Sequence, residues 1–226
     1  STGVRSGSHA VFTNGGFEGG DLSGWTVTAY LNNSISIFPP QTIVDLNLQS
    51  GGSLATEVVT GTTESQPDPN LGSGATLRFP KYGSYSARVN KTATVPGSSY
   101  NTNSLRQTMT LGDDDVDPAD GQIHIRFVDA PVLENPGHPA AQQPYFFIQL
   151  NNLTKGTTLY TNFNYAGQAG VPWKTANSIQ YTDWQMVDVA PGSGAVIGDS
   201  VELFVLAAGC SQSGHFGRVY VDAFGS

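Results

Sequence analysis

Charge is scarce in this sequence. Asp, Glu, Lys and Arg make up 12% of its 226 residues, against roughly 25% in an average soluble domain. Only ten are basic and the formal net charge is −8, which disfavours nucleic-acid binding, because neutralising phosphates needs a basic face. A single cysteine, Cys210, leaves no intrachain disulfide framework. No apolar run approaches the roughly 18 residues of a membrane helix; the strongest, residues 201–208, is interrupted by Glu202. The G-x-S-x-G elbow, H-E-x-x-H, P-loop and dinucleotide fingerprints are all missing, so the expectation is a chain without catalysis. Ser1-Thr2-Gly3-Val4-Arg5 lacks an apolar signal-peptide core. With only four lysines and abundant Ser, Thr, Asn and Gly, the expectation is a trimmed, secreted, cell-surface-associated chain.

Hydrophobic residues (38%) and aromatics (10%) are plentiful enough for a core, which argues against disorder. The 27 glycines and 13 prolines disfavour long helices, and the apolar period is 2 rather than 3.6. Gln122-Ile123-His124-Ile125-Arg126-Phe127 and Arg218-Val219-Tyr220-Val221-Asp222 alternate strictly, whereas 201–206 is apolar on both faces, as in a central strand. Further strands are expected at 26–30, 35–38, 54–59, 75–79, 84–89, 105–111, 145–150, 157–163 and 184–189. About a dozen short strands between Gly/Pro/Asn/Asp turns predict an all-β fold, an antiparallel β-sandwich of jelly-roll type with long loops. Residues 1–8 read as a flexible lead-in and 9–226 as one domain. Long polar or Pro/Gly-rich loops at 61–74, 112–121, 132–144 and 165–175 are the places to look for function.

The segment Asn14-Gly15-Gly16-Phe17-Glu18-Gly19-Gly20-Asp21-Leu22-Ser23-Gly24-Trp25 resembles the opening of carbohydrate-binding-module and galactose-binding-like jelly rolls. The resemblance implies a structural calcium ion held by the Glu, an Asp on the last strand and nearby carbonyls; here these are Glu18, Asp222 and Asn14. Calcium takes six to eight oxygens, so clustered carbonyls with two carboxylates suit it. Relatives often carry two adjacent acids where this chain has Asp222 alone. Trp25 is expected to plug the core.

The C-terminal half, with Val132-Leu133-Glu134-Asn135-Pro136-Gly137-His138, Gln143-Pro144-Tyr145-Phe146, Trp184 to Val189, and Cys210 through His215-Phe216-Gly217-Arg218 to Asp222, resembles a module of large secreted and cell-surface proteins of environmental bacteria. That resemblance implies location and architecture rather than an activity. Glu134, His138 and His215 either converge on a metal or ligand or satisfy loop carbonyls around the Pro136-Gly137 turn, the second reading being favoured. Cys210 reads as a small buried hydrophobe.

Acids at Asp113, Asp115, Asp117 and Asp120, followed by Gly121, resemble half a calcium loop; a solvated acidic loop is the plainer reading. Sugars stack their C–H faces on rigid rings while amides read their hydroxyls. Tyr165, Trp173 and Tyr181, with Asn164 and Gln168, supply such groups, and Tyr82, Tyr85 and Tyr100 are further candidates. The sequence therefore reads as a non-catalytic extracellular module that binds a polysaccharide or other surface ligand, stabilised by calcium. The alternative is a structural or adhesive subunit that pairs with neighbouring surface-protein subunits through β edges or an extended 9–12 segment; a polysaccharide-active enzyme ranks third. Asn32, Asn90 and Asn152 begin Asn-x-Ser/Thr sequons with no expected role in a bacterial chain.

Overall fold

The fold is known from a computed structural model, which describes residues 12–91, 100–212 and 214–225; the 1–8 lead-in and residues 9–11 of the proposed pairing segment lie outside the described residues. In chain order the strands are β1 (Thr26–Leu31), β2 (Gln49–Ser50), β3 (Glu57–Thr60), β4 (Tyr85–Val89), β5 (Asn101–Thr110), β6 (Val116–Asp117), β7 (Gln122–Ile123) and β8 (Ile125–Glu134). They continue with β9 (Tyr145–Asn152), β10 (Thr157–Tyr165), β11 (Lys174–Ala176), β12 (Ile179–Tyr181), β13 (Gln185–Val189), β14 (Ser200–Ala208) and β15 (Gly217–Gly225). One sheet has the order β10-β9-β14-β5-β1-β2 and the other β11-β12-β8-β15-β4-β3, with β13 also on β8. The pairings are antiparallel throughout. An antiparallel β-sandwich was expected, and it is what forms.

Alternation sets the layers. Leu203, Val205 and Ala207 of β14 and Ile125 and Phe127 of β8 point between the sheets, into a core closed by Phe12, Phe17, Trp25 and Phe224. Trp25 is 8% exposed and stacks on Phe17 at 5.5 Å between ring centroids. Phe12 stacks on Trp25 too, so it is a core ring rather than part of a pairing strand. The opposite faces of both sheets are also apolar, and each is covered by a loop. Ile35 and Leu46 lie over Tyr145, Phe147, Phe204 and Leu206; Leu71, Ala75, Leu77 and Phe79 lie over Ala130, Val132, Ile179 and Tyr220.

This covering explains two misread strands. Segments 35–38 and 75–79 have strand-like apolar content but do not form strands, apart from an isolated Gln66–Phe79 bridge. Their apolar side chains are used face-down on a sheet instead of in a ladder, and Pro39, Pro40 and Pro80 withhold N–H donors. All three sequon asparagines are structural. Asn32 donates to Gly209 O at 2.7 Å, Asn90 to Asn101 O and Gly217 O, and Asn152 to Gly194 O and Asp199 Oδ2, and none is more than 3% exposed. Among the described residues no helix is long and apolar enough to cross a membrane.

Candidate functional site

Strand β10 is an edge strand whose end turns into the 165–173 loop. Gln168 organises that loop: its Oε1 accepts Tyr165 N at 3.0 Å and Asn164 Nδ2 at 3.3 Å, and its carbonyl accepts Trp173 Nε1 at 3.1 Å. Gln180 Oε1 accepts Gly167 N at 2.7 Å, and Gln143 Nε2 donates to Ala166 O at 2.8 Å. The loop is thus pinned from three sides, and the half-buried rings of Tyr165 and Trp173 are held at its rim. Phe38 joins them: it packs edge-on to Tyr165 at 5.4 Å and to Phe163 at 5.6 Å while staying 42% exposed. The sequence reading missed Phe38 by assigning it to a strand; the Pro39-Pro40 pair after it was the available signal.

Tyr181 is corrected. It is 3% exposed, lies under the 61–84 covering segment and accepts Thr76 N with its hydroxyl oxygen, so it offers no face to a ligand. Tyr85 packs partly against the core, whereas Tyr100 is 39% exposed. Trp184 is half-buried against the Leu77–Phe79 cluster and borders a cavity of about 290 Å³ with Glu64, Thr76, Arg78, Lys81 and Asp183. The charges there already pair, Lys81 with Glu64 at 2.8 Å and Asp183 with Lys174 at 2.5 Å.

Glu18 and Asp222 meet around the 82–86 segment. Glu18 accepts Ser84 N with both carboxylate oxygens, at 3.1 and 3.3 Å. Asp222 Oδ2 accepts Tyr82 N at 3.1 Å and Ser86 Oγ at 2.9 Å. Gly83 has φ +60°, and a Cβ there would fall 1.9 Å from Glu18 Oε1, so a side chain at this position would displace the Glu18 carboxylate. A register irregularity in β15 between Asp222 and Gly225 re-aims this end of the strand. Asp222 Oδ1 is buried and has no hydrogen-bond partner among the described residues. Burial first, and the charge of Glu18 in addition, push the Asp222 carboxyl up to about 7. Asn14 drops out of the ligand set: its Oδ1 accepts Gly19 N and its Nδ2 donates to Asp21 O and Ser23 O, so its side chain clasps the 14–23 loop.

The acidic loop is corrected as well. Asp117 pairs with Arg126 at 2.8 Å and Asp120 with His124 Nε2 at 2.6 Å, while Asp188 takes His124 Nδ1 at 2.8 Å. Asp113–Asp115 form a 3-10 turn in which Asp115 Oδ2 accepts Gly112 N. Asp115 thus serves as a turn cap, and Asp117 and Asp120 face basic side chains of the chain itself. His138 and His215 do come together, ring centroids 5.6 Å apart, beside Cys210. Glu134 Oε1 instead accepts Phe216 N at 2.9 Å. Burial pushes the Cys210 thiol up, against a nucleophilic role.

Comparison with known proteins finds no matching family model and no matching curated protein. Among solved structures, the chain is similar to carbohydrate-binding modules and adhesin domains. A carbohydrate-binding module of the β-sandwich superfamily, described for promiscuous specificity, is 14% identical; the match covers 98% of this chain but only 62% of the other, with a TM-score of 0.40. CBM27-1 of Caldicellulosiruptor saccharolyticus, solved with mannohexaose, is 16% identical over 93% of both chains, with a TM-score of 0.43. The K1 cleaved adhesin domain of Lys-gingipain from Porphyromonas gingivalis W83 is 13% identical over 88% of this chain and 96% of that one, with a TM-score of 0.34. At these scores no ligand is carried over to this chain.

Proposed function

We propose that this chain is a non-catalytic extracellular module that binds carbohydrate through the rim formed by Phe38, Tyr165 and Trp173. The observation that carries the reading is the way Gln168 fixes Tyr165 and Trp173 in one hydrogen-bonded loop. Rings held in place lose little entropy on binding, and stacking on a sugar face needs that. Asn164 and Gln168 lie alongside as amides, the groups that read hydroxyls. A non-catalytic role is supported by the acids, since Glu57, Glu64, Asp117, Asp120, Asp183 and Asp188 are each tied to a basic side chain. Retention on a panel of immobilised polysaccharides tests the proposal. Trp173→Ala and Phe38→Ala should each weaken retention about tenfold, the worth of one stacking contact, with the circular dichroism unchanged. Retention equal to the parent in both variants would sink the rim.

A second reading, assembly with neighbouring subunits, is favoured by one feature. β10 is a nine-residue edge strand without a charged side chain, Thr157–Tyr165, the kind of edge that pairs with another chain. Light scattering on the same preparation separates the two: concentration-dependent polymers with no glycan retained would favour assembly.

Calcium belongs to this proposal at Glu18 and Asp222. Support comes from the unpartnered, buried Asp222 Oδ1 beside the Glu18 carboxylate, hard oxygens that suit this ion. At calcium 100-fold above Kd, linkage adds about 2.7 kcal/mol, or roughly 5–10 °C for a chain of this size. Asp222→Asn should abolish that shift. Identical melting in calcium and in chelator would remove calcium from the account.

A further inference from the structure

Two loops at one end of the sandwich bring together residues about seventy positions apart in sequence. β8 ends at Glu134 and its exit turn carries His138; β14 ends at Ala208, Cys210 follows, and the return to β15 carries His215. Both loops are fixed by hydrogen bonds. Gln143 accepts His138 N at 3.1 Å and donates to Asn135 Oδ1 at 2.7 Å. Cys210 N donates to His215 O at 3.1 Å, and Glu134 N to Phe216 O at 3.1 Å. Within this frame Cys210 Sγ lies 3.7 Å from His215 Nδ1, and one donor atom from each of His138, Cys210 and His215 lies within 4.8 Å of the other two. His138 Nε2 is buried without a hydrogen-bond partner among the described residues.

We propose that His138, Cys210 and His215 form a site for a borderline-soft divalent transition ion, zinc foremost, with a fourth coordination position left to water or an external ligand. The donor set decides the class of ion. One sulfur and two imidazole nitrogens suit zinc, whereas calcium and magnesium take oxygen. Spacing agrees: Zn–S of about 2.3 Å and Zn–N of about 2.0–2.1 Å at tetrahedral angles place S and N about 3.5 Å apart, close to the 3.7 Å observed. Drawing the other donor atoms onto an ion requires small movements of side chains on loops whose backbones are already held. The buried Nε2 of His138 supplies a lone pair that no group among the described residues uses. Glu134 is no ligand here, because it accepts Phe216 N and so braces the His215 loop. The site stands apart from the Glu18–Asp222 carboxylates and does not rest on the carbohydrate reading.

Titration of the reduced, untagged chain with Co²⁺, then competition with Zn²⁺, tests the site. Expected are one equivalent of Co²⁺, a near-ultraviolet thiolate-to-cobalt band, and displacement of that band by Zn²⁺. Cys210→Ser should lose the band. His138→Gln and His215→Gln should weaken Zn²⁺ binding by more than the roughly 10–100-fold that loss of a supporting group causes. Glu18→Gln should leave the affinity unchanged. No band in the unmodified chain, or a band that survives Cys210→Ser, overturns the proposal.

Discussion

Arg218→Met should lower stability by about 3–5 kcal/mol, the usual result of removing one partner from a buried ion pair. Arg218 and Asp68 are at most 1% exposed. The guanidinium donates to Asp68 Oδ2 at 2.9 Å and to Lys91 O at 2.9 Å, and lies 4.1 Å above the Phe216 ring centroid. The Tyr220 hydroxyl donates to the same Asp68 oxygen while accepting Arg88 Nε at 2.8 Å, so the carboxylate sits between two arginines. Asp68 belongs to the segment that covers the outer face of the β8–β15 sheet, and Asp68 Oδ1 also accepts Asn70 N. Without Arg218 this carboxylate stays buried beside a tyrosine hydroxyl, and the covering segment loses its anchor. Arg218→Met combined with Asp68→Leu should recover most of the loss, because no lone charge remains. Denaturant unfolding of the parent and both variants gives the numbers. A single variant within 1 kcal/mol of the parent would show that water reaches Asp68 and that the anchor is weak.

Sheets were legible because alternation is local: residues 122–127 and 218–222 name their inner faces without help from the rest of the chain. Layers outside the sheets were not. Ile35 and Leu77 carry the same apolar signal whether they pair in a strand or lie flat on one, and only the covered face decides. The sequence reading ended a strand at Phe127, yet β8 runs to Glu134 through Pro131, because neighbours on both sides hold it. Motif reading located Glu18 and Asp222 near one another but mistook Asn14, whose amide closes its own loop. Asp117 and Asp120 looked like ion ligands because their partners, Arg126 and His124, come later in the chain, on and just before β8. Cys210 and the two histidines meet only through the return from β14 to β15. Spacing along the chain carries no trace of that meeting.

Asp129→Asn should make the chain more stable at pH 8, by up to about 4 kcal/mol, and leave it unchanged near pH 4. Asp129 lies on β8 opposite Gln185 and Val221, fully buried, and neither carboxyl oxygen has a hydrogen-bond partner among the described residues. Local pattern does not mark it, since the strand expected from alternation stops at Phe127, two residues short. Burial pushes its carboxyl up to about 7, whereas the unfolded chain titrates near 3.9. A raised acid favours the fold only while protonated. Its contribution is intact below about pH 3.9, declines as the pH rises and is fully lost above about 7; at 1.36 kcal/mol per pH unit that interval corresponds to about 4 kcal/mol. His124 acts in the same direction: burial opposes its proton, but the Asp188 and Asp120 hydrogen bonds outweigh this and hold its pKa up, so its contribution too fades as the pH rises past its ordinary range. Asp222, also raised, adds to the slope in calcium-free buffer. Only the difference between parent and Asp129→Asn, melted side by side at pH 4 and pH 8, isolates the buried acid. Burial first and then Asp129 push the Tyr160 hydroxyl up, so the same substitution should bring the Tyr160 titration down. A pH-independent difference between the two proteins would mean that the carboxyl finds water or a partner in solution, and that the space between the sheets at β8 is wet.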